Sequence, residues 1–397
     1  MKKILLLGGS AQQVVAIETA KRLGYYTVLC DFLPDNPGQY VADKFYLVST
    51  TDKEAVLKVA REEQIGGILA YASDPAAPTA AYVAEQLGLP TNPYASVETL
   101  CNKDRFRKFL SENGFNAPRS EGYSSAEAAK AAAEMFCFPI IVKPVDSSGS
   151  KGVTVLQQAD AIDDAISFAF SYSRTHRIII EEFVEKNHPY LIGGDIFIHD
   201  GKITLWGLLN CHRDARVNPL VPVGKSYPPE LDPEDLQCVK NTLQQLVDRL
   251  QIRFGAMNVE LVVDSMGRVW PIDVGPRNGG NMIPDLLGMI FNVDIVAMTV
   301  LAAMDEESCC EIREGSGYYA THNLHSDRNG CFHKIEFHPI LQEKIVRTCV
   351  YKQPGDRVEF FDNAAKALGI VFMCFKDAHE MHQHLSVISD EITIILD

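Results

Sequence analysis

The chain is poor in the features that most often announce a function. Basic residues are in deficit: 37 Lys and Arg against 52 Asp and Glu leave a formal charge of −15 over 397 residues. That balance excludes a general nucleic-acid binder, which carries a basic footprint. It also excludes docking on an anionic membrane surface, while leaving room for a local basic pocket that takes a small anion. Ten cysteines are present, yet none form a CxxC pair, and the only close pair is the adjacent Cys309-Cys310. Neither a disulfide framework nor a zinc pattern follows, so reduced thiols in a cytoplasmic protein are expected. The longest apolar stretch, residues 286–304, is interrupted by Asn292 and Asp294. It reads as two buried helical segments and not as a membrane span. The N-terminal MKKILLLGGS is too short for a signal h-region. No internal repeat or low-complexity tract is present.

Two nucleotide fingerprints are missing as well. Residues 8–13 read G-G-S-A-Q-Q, without the spaced glycines of a dinucleotide-binding turn, so Gly8 and Gly9 are expected only to turn a strand into a helix. A nicotinamide-dependent oxidoreductase is therefore poorly supported. Residues 140–156, IIVKPVDSSGSKGVTVL, hold serines, glycines and lysines in the wrong order for GxxxxGK[ST].

What is present is a strong alternation at the start. Apolar or β-branched runs at 3–7, 25–31, 44–50 and 66–74 alternate with helical patterns to about Leu23, at 52–63 and at 76–87. This predicts a doubly wound parallel sheet, whose ligands would sit at the strand ends near Ser10, Asp31 and Asp74. Pro90 and Pro93 mark a connector, and we place a domain boundary near residue 95. A helix capped by Ser96 and a second, basic helix carrying Lys103, Arg105, Arg107 and Lys108 should follow. From 120 onward the chain predicts a compact α+β unit. Its elements are helix 124–136, strand 139–144, strand 152–157, helix 159–170 and strand 177–184, with a hairpin at Asp200-Gly201. A helix at 232–250 and strands at 254–263 and 268–274 come next. After residue 305 the chain is strand-rich, with His322, His325 and His333 read as surface or cleft polar residues.

Three segments carry chemistry. Lys143 ends an apolar strand before the loop 146–152. Small side chains at Ser147, Ser148, Gly149, Ser150 and Gly152 let backbone N–H groups approach an anion, with Lys143 and Lys151 as point charges. In IIIEEFVEKNH, residues 178–188, a buried strand runs into Glu181, Glu182, Phe183 and Val184, and its end exposes main-chain groups suited to reading a base. In MNVELVVDSMGRVWPIDVGPRNGGN, residues 257–281, antiparallel pairing can bring Glu260 and Asp273 together on one face. Oxygen ligands without thiols suit Mg2+, with Mn2+ as the alternative ion. Arg277 follows in a Gly-Pro-Arg-Asn turn, where a planar guanidinium could grip a carboxylate or acyl phosphate.

Taken in this order, Lys103 in NKDRFRKFL, Lys143 before its glycine-serine loop, EEFVE, Glu260 and IDVGPR resemble the ATP-grasp superfamily over roughly residues 1–305. The nearest branches are the biotin carboxylase, purine-biosynthetic carboxylase and L-amino-acid ligase branches. The resemblance implies a multidomain α/β and α+β fold. Residues 1–95 would be an N-terminal αβ domain and 96–305 an ATP-grasp domain with a small lid at about 120–187. Residues 306–397 would be a strand-rich C-terminal subdomain. It implies that Lys103 and Lys143 contact ATP phosphates, that the loop 146–152 closes over them, and that Glu181, Glu182 and Val184 border the adenine. It further implies that Glu260 and Asp273 hold Mg2+ and that Arg277 stabilises an acyl phosphate. Two departures stand out. Gly275 replaces the asparagine of the family's metal motif, with Asn278 as a substitute ligand. The ribose acid has no clear match, so His188 or Glu185 would serve. The implied function is an ATP-dependent ligase joining a small carboxylate or bicarbonate to an amine, with Arg213, Lys225, His212, Ser10 and Asp74 near the acceptor. Partners would be small molecules, not nucleic acid or membrane, and a homodimer is admissible. A non-catalytic nucleotide sensor of the same build is the alternative.

Overall fold

The computed structural model describes residues 1–186, 188–307 and 312–397; the Cys309-Cys310 pair lies outside the described residues. The chain opens with four parallel strands in the order Lys44–Leu47, Tyr26–Asp31, Lys3–Leu7, Gly67–Leu69. The helices Val14–Arg22, Lys53–Glu63 and Ala77–Leu87 accompany them. Lys3–Leu7 is apolar after its first residue because helices cover both faces of such a sheet, and Ile4 to Leu7 are buried.

The strand-end crevice of this sheet is closed by the chain itself. Asp31 accepts the Gly9 N–H at 2.7 Å and the Leu33 N–H at 2.9 Å. The Gln13 amide accepts the Ser10 N–H at 3.0 Å and donates to the Tyr71 carbonyl at 2.9 Å. Gly8, at φ +106°, must be glycine, since a Cβ there would stand 2.3 Å from Gln13 Nε2. The missing glycine fingerprint thus has a physical counterpart: a glutamine side chain lies against the turn that a dinucleotide's phosphates would approach.

The helix expected behind Ser96 starts earlier, at Tyr94–Leu100 behind Pro93. The helix Lys103–Glu112 follows, with the Asn102 side chain capping the Arg105 N–H. Its Phe106 and Leu110 enter a core shared with the helix Pro233–Leu250 and the strands Leu191–His199 and Gly255–Val263. In Pro233–Leu250 the buried positions are Val239, Leu243, Leu246, Val247 and Leu250, the stripe of an amphipathic helix.

Residues 120–182 hold an antiparallel sheet in the order Ser120–Tyr123, Ile178–Glu182, Ile140–Pro144, Thr154–Leu156. The helices Ala126–Ala133 and Ile162–Tyr172 share its core. The largest sheet has eight antiparallel strands. In order they are Val269–Gly275, Gly255–Val263, Leu191–His199, Lys202–Asp214, Asn218–Tyr227, Tyr318–Leu324, Gly369–Phe375 and Ile345–Val350. Three of them come from the segment after residue 305, so that segment completes the central sheet as well as packing on it. The apolar stretch 286–304 lies within two helices, Ile283–Phe291 and Ile295–Ala303, bent by 112°. No single helix among the described residues is long and apolar enough to cross a membrane.

Phe106 is 1% exposed and fixes the helix that carries Lys103 and Arg107. Phe106→Ala should cost about 3–5 kcal/mol through the cavity it leaves, read as a lower urea midpoint at unchanged m-value.

Candidate functional site

A cavity of about 420 Å3 opens between the small antiparallel sheet and the central sheet, within the size range of small-molecule sites. Lys103, Lys143, Ser147, Ser148, Gly149, Ser150, Glu181, Glu182, Phe183, Val184, Arg213, Glu260 and Asp273 all lie on its wall, with apolar surface from Ile141, Val153, Leu191 and Ile272. Of the candidate site residues singled out in the sequence, Ser10, Asp74, Lys151, Gly152, Glu185, His188, Lys225, Arg277 and Asn278 are not on that wall.

The charge centre of the cavity is a buried triad. The register Ile141↔Glu181 and Lys143↔Ile179 makes Lys143 and Glu181 diagonal neighbours on one face. Lys143 Nζ lies 2.9 Å from Glu181 Oε2. Arg107 Nε lies 3.1 Å from Glu181 Oε1, an ion pair without hydrogen-bond alignment. Arg107 Nη2 donates to Glu181 Oε2 at 3.3 Å and to the Ile272 carbonyl at 2.7 Å. The three residues are 2–5% exposed. Burial works to raise the Glu181 carboxyl, but Arg107 and Lys143 outweigh it and hold the pKa below the usual range. Burial lowers the Lys143 pKa, offset in part by Glu181. The Glu181 carboxylate is therefore engaged by the lysine and the arginine, while the residue still lines the cavity.

At the strand end, Glu182 N–H donates to the Arg119 carbonyl and Phe183 N–H to the Pro139 carbonyl, both at 2.9 Å. The Glu182 carboxylate accepts the Cys137 N–H at 3.0 Å. The Val184 N–H has no hydrogen-bonded partner among the described residues, so it is the donor left for a base edge. His188 points elsewhere: its ring engages the Tyr190 carbonyl at 3.0 Å and the Glu230 carbonyl. This is a correction to its expected ribose role.

The loop after Lys143 is tied down. Lys103 Nζ donates to the Ser147 carbonyl at 2.7 Å, and Ser147 Oγ to the Lys151 carbonyl at 2.9 Å. Ser150 Oγ reaches the Leu220 carbonyl at 2.9 Å, anchoring the loop tip to the central sheet. In this position the Lys151 side chain is not turned into the cavity.

Glu260 and Asp273 face each other directly across the hairpin. Glu260 is paired with Arg213, whose pKa burial would lower but Glu260 raises. Burial would raise the Asp273 pKa, but Lys103 and Lys143 lead a group of cations that lowers it. Its carboxylate has no hydrogen-bonded partner among the described residues. An ionised, unpartnered carboxylate beside a second one is an oxygen donor set that fits Mg2+. Asn278 is not part of it. Its side chain is fully buried, with both polar atoms unpartnered, and it borders a separate space toward Ala70 and Asn92. Its place after the Pro276-Arg277 turn carries it off the hairpin face.

Arg277 is engaged by a carboxylate from the loop after the N-terminal sheet's strand Gly67–Leu69. Its Nε donates to Asp74 Oδ1 at 2.7 Å, its Nη2 pairs with Asp74 Oδ2, and its Nη1 reaches the Asn278 carbonyl at 3.0 Å. Burial opposes its charge, yet Asp74 leads the groups that raise its pKa. Lys225 Nζ lies 2.7 Å from Cys211 Sγ, one layer behind the wall that Cys211 itself lines. Sequence reasoning missed the role of Arg107. The signal was there, because four residues separate it from Lys103 and so put both on one helix face. The Asp74–Arg277 pair had no such signal, as 203 residues separate its members.

Residues 102–278 match the family model described as carbamoyl-phosphate synthase L chain, ATP binding domain, and the chain as a whole has the ATP-grasp fold. It is similar over its full length to the crystal structure of L-amino acid ligase from Bacillus licheniformis (TM-score 0.82, 20% identity, 99% of that chain covered). It is likewise similar to phosphoribosylglycinamide synthetase from Anaerococcus prevotii (TM-score 0.77, 19% identity, 100% covered). A third solved structure is the biotin carboxylase domain of Hydrogenobacter thermophilus 2-oxoglutarate carboxylase, in complex with MgADP and bicarbonate (TM-score 0.75, 16% identity, 91% covered). Among curated proteins it resembles formate-dependent phosphoribosylglycinamide formyltransferases. That of Parasynechococcus marenigrum strain WH8102 is 32% identical over 188 residues, 46% of this chain and 48% of that protein. That of Synechococcus sp. strain WH7803 is 34% identical over the same length, with the same shares. The chain spans about half the length of these curated relatives.

Removing the carboxylate that two buried cations share should be costly. Glu181→Gln is expected to destabilise by about 3–5 kcal/mol, measured by urea denaturation. A second outcome concerns two histidines in one row of the central sheet, His212↔Gly224↔His322. Burial, then Lys225 and Arg213, push His212 down to about 4. Burial, then His325 and His212, push His322 down to about 3. An unfolded imidazole titrates near 6.5, so on acidification the unfolded chain binds protons first. Stability from these groups is complete above pH 6.5 and is lost as pH falls toward 4 and 3. Going from pH 7 to 5 should cost about 2 kcal/mol per imidazole, and His322→Gln should make the measured stability–pH curve shallower by that amount.

Proposed function

We propose that the chain is an ATP-dependent, ADP-forming ligase that activates a small carboxylate or bicarbonate as an acyl phosphate and transfers it to an amine. The observation that carries this reading is the placement of Glu260 and Asp273 in one cavity with Lys103 and Lys143, beneath a tied-down loop. The ligase-type relatives support it: formate, an L-amino acid and bicarbonate, named in three of them, are all small and carry a carboxylate or its equivalent.

In the first step a carboxylate oxygen attacks the γ-phosphorus of ATP and ADP leaves. In the second an amine nitrogen attacks the acyl carbon, the acyl C–O bond breaks so that inorganic phosphate leaves carrying the bridging oxygen from the carboxylate, and the nitrogen loses a proton. Mg2+, held by Glu260 and Asp273, would offset phosphate charge. Lys103 and Lys143 do the same from fixed positions, which costs no reorganisation when charge moves. The loop 146–152, anchored through Ser150, keeps water from the acyl phosphate. Phe183 and Val184 would border the base, with the Val184 N–H as donor. Arg213 and Lys225 flank the acceptor side. We take residues 1–95, 96–305 with a lid at about 120–187, and 306–397 as the working units. The setting is cytoplasmic, the partners are small molecules, and a homodimer is the assembly to test.

Two ion pairs favour the second reading, a nucleotide sensor without turnover: Arg213 engages Glu260 and Asp74 engages Arg277. Substrate-dependent ADP release across panels of carboxylates and amines would dismiss it. Lys143→Ala and Glu260→Gln should each abolish most of the rise in melting temperature that Mg-ATP gives the parent. If both variants bind Mg-ATP as the parent does, the nucleotide site is misplaced.

A further inference from the structure

The fork of Arg277 is filled by a carboxylate of the chain's own. Asp74, at the end of the N-terminal sheet, meets Nε at 2.7 Å and pairs with Nη2, while Nη1 is spent on the Asn278 carbonyl. All three guanidinium nitrogens are engaged, so a ligand carboxylate cannot take the Nε–Nη2 fork while Asp74 holds it. Arg277 also stays off the wall of the nucleotide cavity, although Asp273 on that wall is among the charges acting on it.

The chain is built around this contact. Asp74 Oδ1 lies 2.5 Å from where a Cβ on residue 275 would stand, so only glycine at 275 lets the carboxylate reach the fork. The neighbouring N-terminal loop grips the same turn, with Gln12 Oε1 accepting the Asn281 N–H at 2.8 Å. The side chains of Asp74 and Arg277 keep 22% and 13% exposure, so an outside anion can reach the pair. A bidentate carboxylate is the best geometric match for a guanidinium fork.

We infer that Asp74 is a stand-in for the substrate carboxylate: it fills the Arg277 fork in the empty protein, and the carboxylate to be activated displaces it. This rests on the ligase reading of Arg277. It makes the apparent affinity for that substrate lower than the intrinsic affinity of the fork, by the fraction of molecules in which Asp74 has let go. It also couples carboxylate binding to release of the N-terminal loops from the turn at 275–281.

Chemical rescue tests it. Asp74→Ala should lower the melting temperature by leaving Arg277 unpaired. Acetate should restore it in a saturable manner, with no comparable effect on the parent or on the double variant Asp74→Ala/Arg277→Met. Inorganic phosphate, with its tetrahedral oxygens, should rescue less at equal concentration. For any carboxylate found to drive ADP release, Asp74→Asn should bind it about tenfold or more tightly in isothermal titration with Mg-ADP present. If Asp74 is only a brace between domains, Asp74→Ala loses stability and acetate does not return it. That result overturns the inference, as does equal rescue in the double variant. Should Asp74→Ala not fold, acetate titrated into Asp74→Asn decides by the same criteria: saturable acetate binding absent from the parent supports the inference, and its absence overturns it. Mg-ATP binding by the parent is read separately, so failure of the ligase proposal and failure of this one remain distinct.

Discussion

The guanidinium of Arg107, the carboxylate of Glu181 and the ammonium of Lys143 meet where almost no water reaches them, and the geometry of the cavity follows from that meeting. Arg107 belongs to a helix seated in the main core by Phe106 and Leu110. Glu181 and Lys143 belong to the small sheet. The carbonyls that Arg107 also holds, Pro271 and Ile272, precede Asp273 in the strand Val269–Gly275. One charge cluster therefore ties together the core, the small sheet and the hairpin. Isolated charges in such a place would each cost several kcal/mol to desolvate, and only mutual pairing makes the site tolerable. The same burial leaves Lys143 with a weakened hold on its proton, which an incoming phosphate would strengthen.

The net charge of −15 and the lysines on the cavity wall pull in opposite directions. An acidic exterior repels a nucleotide at long range, but screening confines that repulsion to about 10 Å at ordinary salt. Inside, Lys103 and Lys143 on the cavity wall act at short range. On the ligase reading, selectivity for a polyphosphate would come from these fixed positions.

Much of this was legible in the sequence because it is local. The alternation of the first 90 residues, the hairpin at Asp200-Gly201 and the facing of Glu260 and Asp273 all follow from periodicity and turn chemistry over a few residues. The ATP-grasp resemblance added order to motifs that are weak singly. What could not be read was long-range. Residues 120–182 and 191–275 belong to different sheets, and nothing in the pattern of Glu181 said whether it would face a base or a lysine. His188 and Asn278 were chosen by residue type, and the backbone turned both away. Asp74 was placed near the acceptor by its strand end, but its partner lies 203 residues on, and no spacing rule reaches that far.

The central sheet carries one more lesson. Its strand Asn218–Tyr227 pairs on one side with Lys202–Asp214 and on the other with Tyr318–Leu324, so a strand from the far end of the chain finishes a ladder begun before the Glu260–Asp273 hairpin. A polypeptide released from synthesis before residue 318 would present that strand as a long unpaired edge, the kind that recruits other chains. The last quarter of the protein therefore acts as a sealing strip. Any exchange of this region between relatives would have to carry over its strand register, and not merely its loops.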